Sequence, residues 1–242
     1  MNGNAMLEIR HYSKSYGADK KAVDDVSLSV LPGDIYGFIG HNGAGKSTTI
    51  RAIVGVLDFT EGDIFIDGHS VKSEPMACKR ITAYIPDNPD LYENLTGIQY
   101  LNFVADVFGI SASEREERIA RYAGLFEITS DLGDLISAYS HGMKQKLAII
   151  SALIHNPKLL VLDEPFVGLD PKATFTLKEL MREMCREGTA VFFSTHVLDV
   201  AEKLCNKVAI IKHGRIIAAG AMEELTEGHS LEETFLEADG DE

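Results

Sequence analysis

Basic residues are scarce in this sequence. Its 242 residues include 23 lysines and arginines against 37 aspartates and glutamates, a formal net charge of -14. A surface that coats nucleic acid needs lysine and arginine to displace counterions from phosphates. No nucleic-acid partner is therefore expected, and the acidity serves solubility. Long apolar runs are missing too. The longest, Leu147 to Ile154, is interrupted by Ser151. It falls far short of the roughly 20 residues that cross a bilayer and reads as a buried helix. Met1 to Glu8 has neither the basic start nor the apolar stretch of a signal peptide. Cysteine is limited to Cys78, Cys185 and Cys205. An odd number at wide spacing suggests neither a disulfide framework nor a zinc site, and fits reduced thiols in a cytosolic protein. The hydrophobic content of 45% is ordinary for a folded chain, so disorder is not expected. Any membrane role must then run through a partner chain.

What is present is an alternation of strand and helix. Val23, Val26, Leu28 and Val30 form a largely alternating strand, and Pro32-Gly33-Asp34 turns the chain. Ile35 to Ile39 is a short buried-strand run that feeds the glycine-rich stretch Gly40 to Gly45, with a helix from Lys46 to about Val54. Ile64 to Ile66 before Asp67-Gly68, and Ile81 to Ile85, add strands. From about Asp87 to Tyr139 the character becomes helical. Thr96 with Gln99 forms a capping box ahead of apolar residues at helical spacing, and Ser113 with Glu116 is expected to open a second, charged helix. After Ser140 a helix runs to about His155, a strand covers Leu159 to Leu162, and a helix starts at Pro171 and runs to about Arg186. Ala190 to Phe193 is a strand, and a hairpin turns at His213-Gly214. The tail from Ala221 is acidic and partly helical. The expectation is one α/β domain with a mainly parallel sheet covered on both faces. Residues 1–86 and 140–220 would form its core, 87–139 a helical insertion and 221–242 an acidic tail.

Gly40-His41-Asn42-Gly43-Ala44-Gly45-Lys46-Ser47 has the spacing of a phosphate-binding loop, between a strand and a helix as that motif requires. Its glycines let successive backbone N–H groups turn inward, and the following helix presents its positive end. Asn42, Gly43 and Gly45 belong to this cradle. Lys46 supplies a charge for the β- and γ-phosphates, Ser47 a hydroxyl ligand for Mg²⁺, and Thr48 a further donor. The run Leu159 to Leu162 ends in Asp163-Glu164. Two acids at the end of a buried strand need a partner, because carboxylates are costly to desolvate alone. Mg²⁺ is that partner for Asp163, and Glu164 stands where it can polarise the attacking water. Phosphoryl transfer needs mostly positioning and charge stabilisation. These two motifs alone indicate only a phosphate-loop NTPase.

Further features, in order, make the chain from Leu7 to about Gly220 resemble the ATP-binding subunit of ABC transporters. The family's Leu-Ser-Gly-Gly-Gln signature corresponds to Tyr139-Ser140-His141-Gly142-Met143, in which Ser140 and Gly142 fit while His141 and Met143 depart. Gly168-Leu169-Asp170 matches the D-loop, and Ser194-Thr195-His196 the segment of the switch histidine. Tyr16 stands where the family stacks an aromatic on adenine, with Tyr12 as its rival. Asp87 occupies the position of the Q-loop glutamine. The resemblance implies a parallel-sheet core with an antiparallel β subdomain and a helical subdomain. It implies that Ser140 and Gly142 face the nucleotide of an opposite subunit in a head-to-tail dimer, formed with itself or a related subunit. It also implies that His196 contacts the γ-phosphate as part of the catalytic set with Glu164.

Each of these residues has a plainer alternative. Ser140 serves equally as a helix N-cap, Asp170 as the cap of the helix at Pro171, and His196 as a structural histidine. Asp87 is either a ligand in the metal's water shell or a coupling hinge. A third carboxylate beside Asp163 and Glu164 would be repelled unless a metal drew it in, which favours the hinge. A lone ATPase domain implies separate integral-membrane permease subunits, hence a place at the cytoplasmic face of the cell membrane. Tyr84-Ile85-Pro86-Asp87 and the Met143-Lys144-Gln145-Lys146 ending resemble the ABC-2 exporters. A soluble ABC ATPase without transport, of the iron–sulfur assembly type, is the alternative.

Overall fold

The computed structural model describes residues 5–17 and 21–240. Residues 1–4 and 241–242, the ends of the N-terminal and acidic-tail readings, lie outside the described residues, as do 18–20.

The described residues build two sheets. One is antiparallel: β1 (Leu7–Ser15), β2 (Lys21–Val30), β4 (Glu61–Ile66) and β5 (His69–Ser70), in the order β2-β1-β4-β5. The other contains β3 (Ile35–Ile39), β6 (Thr82–Ile85), β7 (Leu159–Asp163), β8 (Ala190–Thr195), β9 (Lys207–Lys212) and β10 (Arg215–Ala221). Its order is β10-β9-β3-β8-β7-β6, and every pairing except the β9–β10 hairpin is parallel. The three central strands β3, β7 and β8 are buried at every position. Such strands carry continuous apolar runs because both faces are covered.

The two faces feed two cores. Leu160 and Leu162 of β7 point with Ile39 and Phe193 into one, closed by α3 (Gly97–Val107), α4 (Ala112–Leu125), α5 (His141–Leu153) and α6 (Pro171–Arg186). Leu159 and Val161 point with Phe38 and Phe192 into the other. That core is filled by Ile50 and Ile53 of α1 (Lys46–Ile53) and by the inner face of the antiparallel sheet. The helix α1 is thus clamped between two sheets, which fixes the loop that precedes it. The tail also packs: Leu231 and Phe235 of α9 (Leu231–Gly240) join the first core beside α7 (Leu198–Leu204), and α8 (Met222–Leu225) precedes it.

Three local expectations change. The charged helix α4 starts earlier than a Ser113–Glu116 box would place it. Ser111 is its N-cap, accepting from the Glu114 N–H while the Glu114 carboxylate accepts from the Ser111 N–H. Ser113 lies within the first turn. The helix α2 (Pro75–Ile81) is absent from the sequence reading. Seven residues are too short to show an apolar period, and its only strong signal is Pro75 at the first turn. Tyr12 is wholly buried, edge-on to Phe59 at 5.1 Å, and so is not available to adenine.

Candidate nucleotide site

The loop between β3 and α1 turns on two glycines with left-handed backbones, Gly43 at φ 84° and Gly45 at φ 111°. At Gly45 a Cβ would also lie 2.6 Å from the Ala22 carbonyl oxygen, so no side chain fits. Lys46 is only 6% exposed. Its Nζ donates to the carbonyl of Gly40 at 2.6 Å and of His41 at 3.3 Å, which curls the loop around the ammonium. Asn42, Gly43, Gly45, Lys46, Ser47 and Thr48 line one cleft, and Ala22, Asp87 and Glu164 close it. The fold therefore brings the phosphate-loop residues, the residue at the Q-loop position and the second acid of β7 to one place.

The end of β7 supplies the acids. Asp163 is 1% exposed. Its Oδ1 accepts from the Ser194 hydroxyl at 2.5 Å, and its Oδ2 is buried without a hydrogen-bond partner. A buried carboxylate oxygen left without a donor matches what a hydrated divalent cation takes, and an uncompensated one is costly. Glu164 has a left-handed backbone at φ 47°. Its N–H donates to the Ser194 Oγ at 3.1 Å. Its Oε1 is met from two sides, by Lys46 Nζ at 3.5 Å and His196 Nδ1 at 3.0 Å. The sequence reading named Lys46, Glu164 and His196 separately and missed that they converge on one oxygen. It also missed the bridging hydroxyl of Ser194. The register of β7 against β8, which pairs Asp163 with Ser194, is the signal that locates it.

The signature stretch sits elsewhere. Ser140 is exposed and caps α5, accepting from the Met143 N–H at 3.3 Å. Neither Ser140 nor Gly142 lines the cleft that holds Lys46. Both departures from the family signature have a structural reason. The His141 ring covers Gly168, where a Cβ would approach its Cδ2 to 2.5 Å, and Met143 packs against the core. Lys146 on the same helix pairs with Asp170 at 2.7 Å, while Asp170 caps α6 through the Ala173 N–H at 2.8 Å. The Lys146 ammonium, and then the Ala173 N–H, hold the Asp170 carboxyl below its ordinary range. The signature helix and the D-loop turn are thus one docked unit.

Tyr16 is 56% exposed, with the Lys14 ammonium 5.7 Å from its ring centroid. Asp87 is exposed, and its Oδ1 accepts from the N–H of Asn88 at 2.9 Å. In the following segment Leu91 is buried and Leu95 partly so. Only Tyr92 is largely exposed. Phe103 and Val107 join it on the surface, with the Phe103 ring 5.7 Å from that of Tyr92. No helix among the described residues is long and apolar enough to cross a membrane.

The comparisons agree with this geometry. A profile of the ABC transporter family matches residues 23–167. The chain is 36% identical over 233 residues to the ABC-type transporter ATP-binding protein EcsA of Bacillus subtilis (strain 168), covering 96% of this chain and 94% of that protein. It is 34% identical over 220 residues to the linearmycin resistance ATP-binding protein LnrL of the same organism, covering 91% of this chain and 70% of that one. A solved ATP-binding subunit of an ABC transporter superposes with a TM-score of 0.92 at 37% identity, over 97% of this chain and 99% of that one. The chain belongs to the ABC transporter family, as an ATP-binding subunit with that family's ATPase fold.

Proposed function

We propose that the chain hydrolyses ATP with Mg²⁺ in a site shared by two head-to-tail subunits, and so powers export through separate permease chains. The observation that carries this reading is the convergence at Glu164. Lys46 and His196 both approach its Oε1, and Asp163 beside it keeps one buried oxygen unpartnered. In the proposed cycle Lys46 and the loop N–H groups hold the β- and γ-phosphates. Ser47 and Asp163 would hold the metal, which would neutralise phosphate charge when bound. Glu164 takes the proton of the attacking water, and His196 stabilises the charge that develops on the γ-phosphate. Tyr16 stacks on the adenine.

The separation of Ser140 and Gly142 from their own cleft favours a second subunit that brings those residues to the nucleotide, with Asp170 at the interface. A related subunit in place of the second copy leaves this chemistry unchanged. Transport needs a bilayer-spanning chain, and none of the described helices serves. Integral-membrane permeases are the proposed partners, with the subunit at the cytoplasmic face of the cell membrane. The exposed apolar surface in the helical subdomain, residues 87–139, would meet them. Export is supported by the resistance role in the name of LnrL and by the ABC-2-like segments at Tyr84 and Met143.

Titration with a fluorescent ATP analogue tests the first step. Loss of the Lys46 ammonium in Lys46→Ala should weaken binding about ten- to a hundredfold, the worth of charge-assisted hydrogen bonds. Unchanged affinity would sink the assignment. Co-purification from detergent-solubilised membranes tests the second. Capture of soluble chains alone would favour the non-transport ATPase.

A further inference from the structure

We infer that Ser194 is a positioning residue for both acids of the ATPase site: its single hydroxyl orients Asp163 and fixes the backbone of Glu164. The inference rests on the proposed roles of those two acids. The Ser194 side chain is fully buried, on β8 directly opposite Asp163 in the parallel ladder. It uses both of its capacities there. Its O–H donates to Asp163 Oδ1 at 2.5 Å, and its oxygen accepts the Glu164 N–H at 3.1 Å.

Each bond has a consequence. A carboxylate with one oxygen tied is held in rotation, so Oδ2, the oxygen without a partner, is the one that would be left to take a metal. Ligands oriented by such outer hydrogen bonds bind metal better than free ones. Glu164 follows β7 with φ at 47°, a conformation that an L-residue holds only when its surroundings enforce it. The bond from its N–H to Ser194 enforces it, and this sets the direction in which the carboxylate leaves the strand. From there Oε1 reaches Lys46 and His196. One buried hydroxyl thus couples the position of the metal acid to that of the water-activating acid. Neither the phosphate loop nor the strand motif alone contains this link.

The test compares Ser194→Ala and Ser194→Cys with the wild-type chain, in steady-state ATPase kinetics and in the Mg²⁺ dependence of binding of a fluorescent ATP analogue. For the alanine variant kcat should fall about ten- to a hundredfold with KM little changed, the usual loss when an orienting partner is removed. Its Mg²⁺ midpoint should move to higher concentration, while analogue binding in EDTA stays at the wild-type level. The cysteine variant keeps the shape and donates weakly, so it should fall between the two in both readouts. If alanine prevents folding, the cysteine variant alone decides, through the same two shifts. Wild-type kcat and Mg²⁺ midpoint in the folded variants would overturn the inference. So would equal weakening of binding with and without Mg²⁺, which marks a general structural loss. Asp163→Asn and Glu164→Gln serve as controls: if they turn over at the wild-type rate, the proposed roles of the acids fail, independently of Ser194.

Discussion

Asp87 shows how a single side chain divides two readings of the site. It lines the phosphate cleft together with Lys46, Ser47 and Glu164, as a metal ligand would. Yet it is exposed, and one of its oxygens already accepts from its neighbour's N–H, holding the turn that leads out of β6. Two acids, Asp163 and Glu164, already end β7 nearby, and a third gains little there without a metal to draw it in. This favours the proposal that Asp87 serves the turn, as a hinge between the core and the helical segment. The change Asp87→Ala should leave the Mg²⁺ dependence of nucleotide binding in the isolated subunit nearly unchanged, and should lower ATPase stimulation by the membrane partner. A clear shift of that Mg²⁺ curve to higher concentration would return Asp87 to the metal.

At the scale of elements, the junction of α3 and α5 contains a half-buried titratable group outside the proposed nucleotide site. His155 follows the end of α5 and stacks on Phe108 at the end of α3, with ring centroids 3.8 Å apart and planes at 14°. Both ring nitrogens are buried without hydrogen-bond partners. Burial, with the charge of Arg118 acting in the same direction, pushes the His155 pKa down from 6.5 to about 4. The folded value lies below the unfolded one, so the unfolded chain binds the extra proton between them. The stability held by the neutral ring is complete above 6.5 and is lost as pH falls toward about 4, by on the order of 1–3 kcal/mol. Denaturant unfolding at about pH 7.5 and about pH 5 should show a smaller acid loss for His155→Phe than for the wild type. Equal losses would contradict this. The packing of these elements was only partly legible in the sequence. Long or strongly capped elements were: the Thr96–Gln99 box sits at the start of α3, Asp170 caps α6, and the apolar run of β7 is a central strand. The short helix α2, the two-residue advance of α4 and the burial of Leu91 were not. They depend on a proline at a first turn, on a choice between two serines two positions apart, and on long-range packing. In the candidate site the separate motifs were visible, because each is local. The meeting of Lys46, Glu164, His196 and Ser194 was not, because it depends on the register between β3, β7 and β8.

For the whole molecule, the arrangement assigns different faces to different tasks. The cleft lined by the phosphate loop and Glu164 is the proposed nucleotide site, and Ser140 and Gly142 at the N-terminus of α5 lie outside its lining. Tyr92, Phe103 and Val107 form an apolar surface on the helical segment. Cysteines placed at positions 103 and 107 should crosslink to a permease chain in native membranes, and crosslinks to soluble chains alone would argue for the non-transport reading. If each nucleotide is shared between two subunits, slowing hydrolysis exposes it. Glu164→Gln keeps the shape of the acid and removes the base, so ATP should stay bound and hold two chains together. Ser140→Arg places a cation at the positive end of α5 and fills the space meant for the γ-phosphate. The most direct measurement is light scattering on Glu164→Gln with and without ATP, beside the double variant Glu164→Gln with Ser140→Arg. The account predicts a dimer that forms only with ATP and is lost in the double variant. The same ATP-dependent dimer in both proteins would contradict it.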